Sequence, residues 1–154
     1  MEYDKENQWW IEYTKLSSGQ TAVIMFSKYP RGKTLYYFVT FGIADKKKML
    51  RNWLLETGSG DLCTKCTGKC GAEGLIWAYH KLEEFIQDRK LFNKSDKVLR
   101  YKVAVCGADA RRHRVYRHFL KRIGFNEEYD QELGWIIVKT CKIKQINIVL
   151  RNNT

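Results

Sequence analysis

Three glycines, Gly68, Gly71 and Gly74, fall within seven residues of the stretch "TGKCGAEGLIWAYHKLEEF", Thr67 to Phe85, and an amphipathic pattern follows at once. The chemistry this spacing allows is anion binding. The first four N–H groups of a helix have no intrahelical partner, and the macrodipole places about half a positive charge at that end. Glycines just before it let backbone N–H groups converge on a pyrophosphate with no Cβ in the way. Lys65 and Lys69 add charge. The competing reading is a helix approached through a flexible loop, which a short glycine cluster by itself favours. The segment is no Walker loop, because Cys70 follows Lys69 where Ser or Thr is needed. Nor is it the dinucleotide fingerprint, which wants a buried strand before it and a βαβ unit.

Two other clusters carry chemistry. Cys63, Cys66 and Cys70 stand at spacings that can reach one zinc ion. A closed structural site wants four ligands, so His80 or Cys106 would have to complete it. The second pair of a zinc ribbon is absent, and the spacing differs from the Cys-x3-Cys-x2-Cys of radical-SAM enzymes. The reading is therefore small packing thiols and no metal. The run Arg111, Arg112, His113, Arg114, Arg117, His118, Lys121, Arg122 is dense in bases. On a helix it makes one face strongly positive, ready for the phosphates of a cofactor or of nucleic acid, or simply for solvent. His80 reads as a packing residue, and Trp9, Trp10, Trp53 and Trp77 as core. No Ser/His/Asp arrangement is visible.

The elements that must position these groups follow from periodicity. "QWWIEYTKL" and "TAVIMF" flank "SSGQ" and read as a hairpin. "KYPRGKT" is a second turn, and "LYYFVTF" a third strand. In "DKKKMLRNWLLE", Met49, Leu50, Trp53 and Leu54 have helical spacing, with Asp45 placed to cap. "TGSGDLCTKCTGKCG" is a loop. Leu75, Ala78, Tyr79, Leu82, Phe85 and Ile86 then form a long helical stripe, ended by "FNKSDK". "YKVAVCG" is a short strand. "DARRHRVYRHFLKRIGF" is a helix with Gly124 at its C-terminus. "LGWIIVKT" is another strand, and "KIKQINIVL" a last strand or basic tail. No internal repeat or linker appears, so residues 1–154 form a single domain of mixed α/β class.

Composition agrees. The chain of 154 residues is 44% hydrophobic and 14% aromatic, enough for one sizeable core. No apolar run approaches the ~20 residues of a membrane span. The charged and aromatic start "MEYDKENQWW" lacks an h-region, and the five cysteines are an odd number, so a cytoplasmic protein with reduced thiols is expected. A net charge of +11 favours an anionic partner.

"VAVCGADARRHRVYRHFLKRIGF", Val103 to Phe125, resembles the C-terminal half of the GCN5-related N-acetyltransferase family: a strand, a polar residue, a short helix carrying a Tyr, and an ending like Leu-x-x-x-Gly-Phe. "TGKCGAEGL" resembles the same family's pyrophosphate loop, Arg/Gln-x-x-Gly-x-Gly/Ala. The order also agrees over roughly residues 24–139, and the pairing of the two stretches is similar to phage-associated members. The resemblance implies a mixed, strongly bent central sheet flanked by helices. It implies direct transfer of an acetyl group from acetyl-CoA to an amine acceptor, with no covalent enzyme intermediate. It assigns the leaving thiolate's proton to Tyr116. It assigns cofactor contacts to Lys65, Thr67, Gly68, Lys69, Cys70, Gly71 and Ala72, and to Asp109 and Arg112. The general base is open among Glu12, Glu56, Asp61, Glu73 and a water chain. Where the family has a strongly apolar strand leading into its loop, this chain has "GSGDLCTKC", and Lys65 is the nearest equivalent of the family's Arg or Gln. The alternative function is a basic nucleic-acid-binding module without catalysis, or an acyltransferase whose acceptor is a nucleic acid or a protein bound to one.

Overall fold

Along β3 (Thr21–Arg31), Ala22, Ile24 and Phe26 point to one face of a sheet and Val23 and Met25 to the other, and all five are buried. A strand apolar on both faces must be covered on both. The structure, a computed structural model, describes residues 1–32, 34–55, 72–92, 100–106 and 110–142. It supplies that cover with helices on each side of one seven-stranded sheet.

The other strands are β1 (Glu2–Asp4), β2 (Trp9–Lys15), β4 (Thr34–Ala44), β5 (Arg100–Val105), β6 (Asn126–Asp130) and β7 (Gly134–Lys142). Their order is β1-β2-β3-β4-β5-β7-β6. Every neighbouring pair is antiparallel except β4 and β5, which run parallel. The class is mixed α+β. A parallel pair needs a crossover connection, and the described residues between β4 and β5 form two helices, α1 (Lys47–Leu55) and α2 (Glu73–Phe92). The third, α3 (Ala110–Lys121), connects β5 to β6. No helix among the described residues is long and apolar enough to cross a membrane.

α2 and α3 share the first face. Ala78, Leu82, Phe85 and Ile86 of α2 and Leu120 of α3 pack with Ile24, Phe26, Tyr37, Tyr101, Val103 and Ile137 in the main core. The rings of Phe26 and Phe85 stack 3.9 Å apart at 6°. Burying each such side chain stabilises the fold by roughly 1.5–3 kcal/mol. α1 covers the second face, where Leu50, Trp53 and Leu54 meet Val23, Met25 and Ala44. Periodicity predicts these three α1 positions, while Met49, the fourth of the expected stripe, is exposed. α3 ends as its glycine dictates. Gly124 has φ of 89°, its N–H donates to the Lys121 carbonyl (3.2 Å), and the Phe125 N–H donates to the Leu120 carbonyl (3.2 Å). That is the Schellman pattern, completed by contact of buried Phe125 with Leu120 in the core.

The sheet is strongly curved. Arg31, at the end of β3, forms an ion pair with Asp130 at the end of β6 and lies 2.8 Å from Glu132. β4, β5 and β7 separate those strands in the sheet. A flat sheet would hold them about 19 Å apart at ~4.8 Å per strand, beyond the reach of the two side chains. The guanidinium also lies 5.6 Å from the Tyr36 ring centre, on the second face.

Three sequence expectations change. The "KYPRGKT" turn is narrower, because β3 continues through Pro30 to Arg31. β2 pairs with β3 only as far as Ser27, so Pro30 lies beyond the paired length on that side, where strands tolerate proline. "NEEYD" forms edge strand β6, which its charge conceals in the sequence; charge is what an exposed edge carries. β1 was likewise too short and polar to read. The run "KIKQINIVL" has only its first residue, Lys142, among the described residues.

Candidate functional site

The β4–β5 ladder runs from Leu35↔Tyr101 to Val39↔Val105 and stops there. β4 continues to Ala44 with only β3 at its side. Past Val39, no described strand continues the ladder on the other side of β4. The gap opens into a cleft of about 540 Å³. Val39, Thr40 and Phe41 form one wall and Val105 and Cys106 the other. Leu75, Ile76, Ala78, Tyr79, His80 and Leu82 of α2 border it, as do Arg112, Tyr116, Phe119 and Leu120 of α3, with Arg122 just beyond. Trp53 of α1 also lines it, from the opposite face. Side chains of both faces therefore meet in the cleft.

Two glycines set the positions of its helices by letting them come close. A Cβ on Gly42 would fall 2.6 Å from Cζ3 of Trp53 and 3.3 Å from Cδ2 of Leu50. A Cβ on Gly74 would fall 2.7 Å from Cδ1 of Ile43 and 3.4 Å from Cδ1 of Leu16. Gly74 thus serves helix–sheet packing, one of the three glycines that the sequence offered for ligand approach. Glu73 fixes the same end of α2, accepting from the Ser17 N–H (3.0 Å) and the Ser17 hydroxyl.

The cleft is apolar with a few polar groups. Tyr79 and Tyr116 present phenols from different helices. Burial, then the negative charge of Glu83, raise the Tyr79 pKa above its ordinary value, so this phenol stays protonated at neutral pH. Cys106 keeps solvent access at the rim, while the atoms packed around its sulfur, and then the Asp130 charge, push the thiol up. Arg112 and Arg122 bring positive charge to the lining.

Of the residues singled out from sequence, Tyr116 and Arg112 meet in the cleft, one turn apart on α3. Ala72 is exposed before α2, and its carbonyl accepts from the Ile76 N–H (2.9 Å). It does not line the cleft, although Leu75 and Ile76 in the first turn do. Lys65, Thr67, Gly68, Lys69, Cys70, Gly71 and Asp109 lie outside the described residues, as do Cys63, Cys66, Glu56 and Asp61. Among the described residues, no three of His, Cys, Asp and Glu gather to hold a metal ion. Of the proposed bases, Glu12 lies 3.0 Å from Lys81 Nζ, oblique to hydrogen-bond directions, and 3.4 Å from the N-terminal amine. Glu12 and Glu73 are both away from the cleft lining. His80, expected as packing, is exposed on the rim, 4.0 Å from Glu83. Tyr79 and Phe119 were missed as site residues, because helical spacing places them on the core side without marking where β4 and β5 part.

A scan against protein-family models and searches of curated proteins and of solved structures return no significant match to this chain.

Proposed function

We propose that the protein is an acyl-CoA-dependent N-acyltransferase with the fold of the GCN5-related family, acting on an amine acceptor. The observation that carries the reading is the parting of parallel β4 and β5 after Val39 and Val105, with Tyr116 and the first turn of α2 on the resulting cleft. The strand leading to the cofactor site is then β4, not "GSGDLCTKC", with α1 between it and α2 among the described residues.

In this reading the acyl chain lies in the apolar gap. The exposed edge of β4 beyond Val39 supplies backbone groups to orient the thioester. The phosphates lie toward the start of α2, where orphan N–H groups and the macrodipole favour them, with Arg112 adding charge. The neutral amine attacks the carbonyl carbon and a tetrahedral oxyanion forms. The C–S bond then breaks, the amide is left, and the thiolate takes a proton. Tyr116 is the proton donor, since a tyrosine hydroxyl is a weak acid that can protonate a thiolate held beside it. Tyr79 lines the same cleft as a second phenol, with Glu83 beside it. Glu12 and Glu73 are engaged elsewhere, which leaves water, or Glu56 or Asp61 outside the described residues, to carry the amine's proton out.

Calorimetric titration with acetyl-CoA and, separately, with free coenzyme A tests the reading. Saturable one-to-one binding of both is expected. No heat and no protection from thermal unfolding at millimolar ligand would remove it.

A further inference from the structure

α3 divides its bases three ways. At 100° per residue, Arg112 and Tyr116 point into the cleft, while His113 and Arg117 point to β6 and meet Glu127 at 2.7 and 3.3 Å. The remaining direction, opposite the core, carries Arg111, Arg114, His118 and Lys121 at i, i+3, i+7 and i+10, all exposed. No ion pair among the described residues involves these four. The positive charge of Arg111, Arg114 and Lys121 is directed to solvent.

A second feature lies on the face of the sheet that α3 covers, beyond its contacts with β6. Tyr129 lies two residues beyond Glu127 on β6, hence on the same face, and pairs in register with Trp135 of β7. Their rings are 5.5 Å apart and edge-on at 71°, yet they stay 66% and 61% exposed. Large aromatics this open, side by side, are unusual on a surface with no partner. Most of the acid charge nearby is offset: Glu127 pairs with Arg117, Glu128 with Lys102, and Arg31 offsets one of the two charges of Asp130 and Glu132. The hairpin therefore keeps little net negative charge to repel an anion.

We infer that the outer stripe of α3 and the Tyr129–Trp135 pair form a docking surface for single-stranded nucleic acid. Phosphates lie along Arg111, Arg114 and Lys121, and unstacked bases rest on the exposed rings. A cationic track beside aromatic faces is the combination that single strands require. A duplex keeps its base faces covered, and the carboxylates of an acidic polypeptide have no aromatic face to stack. The surface is distinct from the cleft and does not depend on the acyltransferase reading.

The test is fluorescence anisotropy of the full chain with a labelled 20-nucleotide oligo(dT) and oligo(U), across a salt series. Binding at about 10 µM or tighter is expected at 50 mM salt, weakening as salt rises. The triple variant Arg111→Gln, Arg114→Gln, Lys121→Gln should bind more than ten-fold more weakly. Its slope of log K against log salt should be shallower by about 2, near 0.7 for each lost phosphate contact. Tyr129→Ala with Trp135→Ala should cost about ten-fold and leave the slope unchanged, because stacking involves no counterion. All these residues are exposed, and circular dichroism with a melting curve checks each fold. The inference is overturned by absence of binding at 50 µM protein, by variants that bind like the parent, or by polyglutamate competing as well as unlabelled oligonucleotide.

Discussion

Trp53 lies directly over the bare Cα of Gly42, so that a single added methyl group would sit 2.6 Å from the indole Cζ3. The indole is 8% exposed, buried in the second-face core, and also lines the cleft. Gly42→Ala should therefore destabilise the protein by about 1–3 kcal/mol, the usual cost of overpacking. Urea unfolding measures it. Adding Trp53→Leu should recover part of the loss, giving a double-mutant coupling that independent sites would lack.

Tyr116→Phe removes a hydroxyl and keeps the ring. Under the proposed function, turnover should fall by about 10²–10⁴-fold with little change in cofactor affinity, since proton donation is needed only after attack. Release of free thiol, once an acceptor is found by screening peptides, polyamines and nucleic acids, provides the assay. Equal turnover in a folded variant would take Tyr116 out of the reaction. The parallel change Tyr79→Phe then asks whether the second phenol holds that role.

Arg112→Gln should weaken free coenzyme A by about 10–100-fold, the worth of a charge-assisted hydrogen bond of roughly 1.5–3 kcal/mol. Calorimetry on the folded variant reads this directly. Unchanged affinity would assign the cofactor's phosphates to other groups.

Hydrogen bonding to Arg31 holds the Asp130 carboxylate at about 2, well below its usual range. The unfolded chain therefore takes up a proton between about pH 4 and pH 2 that the folded chain refuses. Stability from this pair is fully present above pH 4 and is lost as pH falls toward 2. Asp130→Asn should be less stable than the parent at pH 6, with the two converging near pH 2. Urea midpoints against pH give both curves; parallel curves would mean that the tether between β3 and β6 adds no pH-dependent stability.

Local physics wrote most of the elements into the sequence. Alternation in "TAVIMF" and "LYYFVTF", helical spacing from Leu75 to Ile86, and Gly124 after α3 each reflect interactions within a few residues. The same locality made Tyr116 and Arg112 legible as neighbours, one helical turn apart. The cleft was not legible, because it exists where the β4–β5 ladder stops at Val39↔Val105, a pairing of residues far apart in sequence. Nor was the purpose of Gly74, whose missing Cβ matters only because Ile43 of another element stands 2.7 Å from where it would be. Arg31 and Asp130 are 99 residues apart, and only the curvature of the whole sheet brings them together. Sequence period determines which way a side chain faces along its own element. What it faces is decided by how the sheet twists and closes, through packing summed over the whole chain.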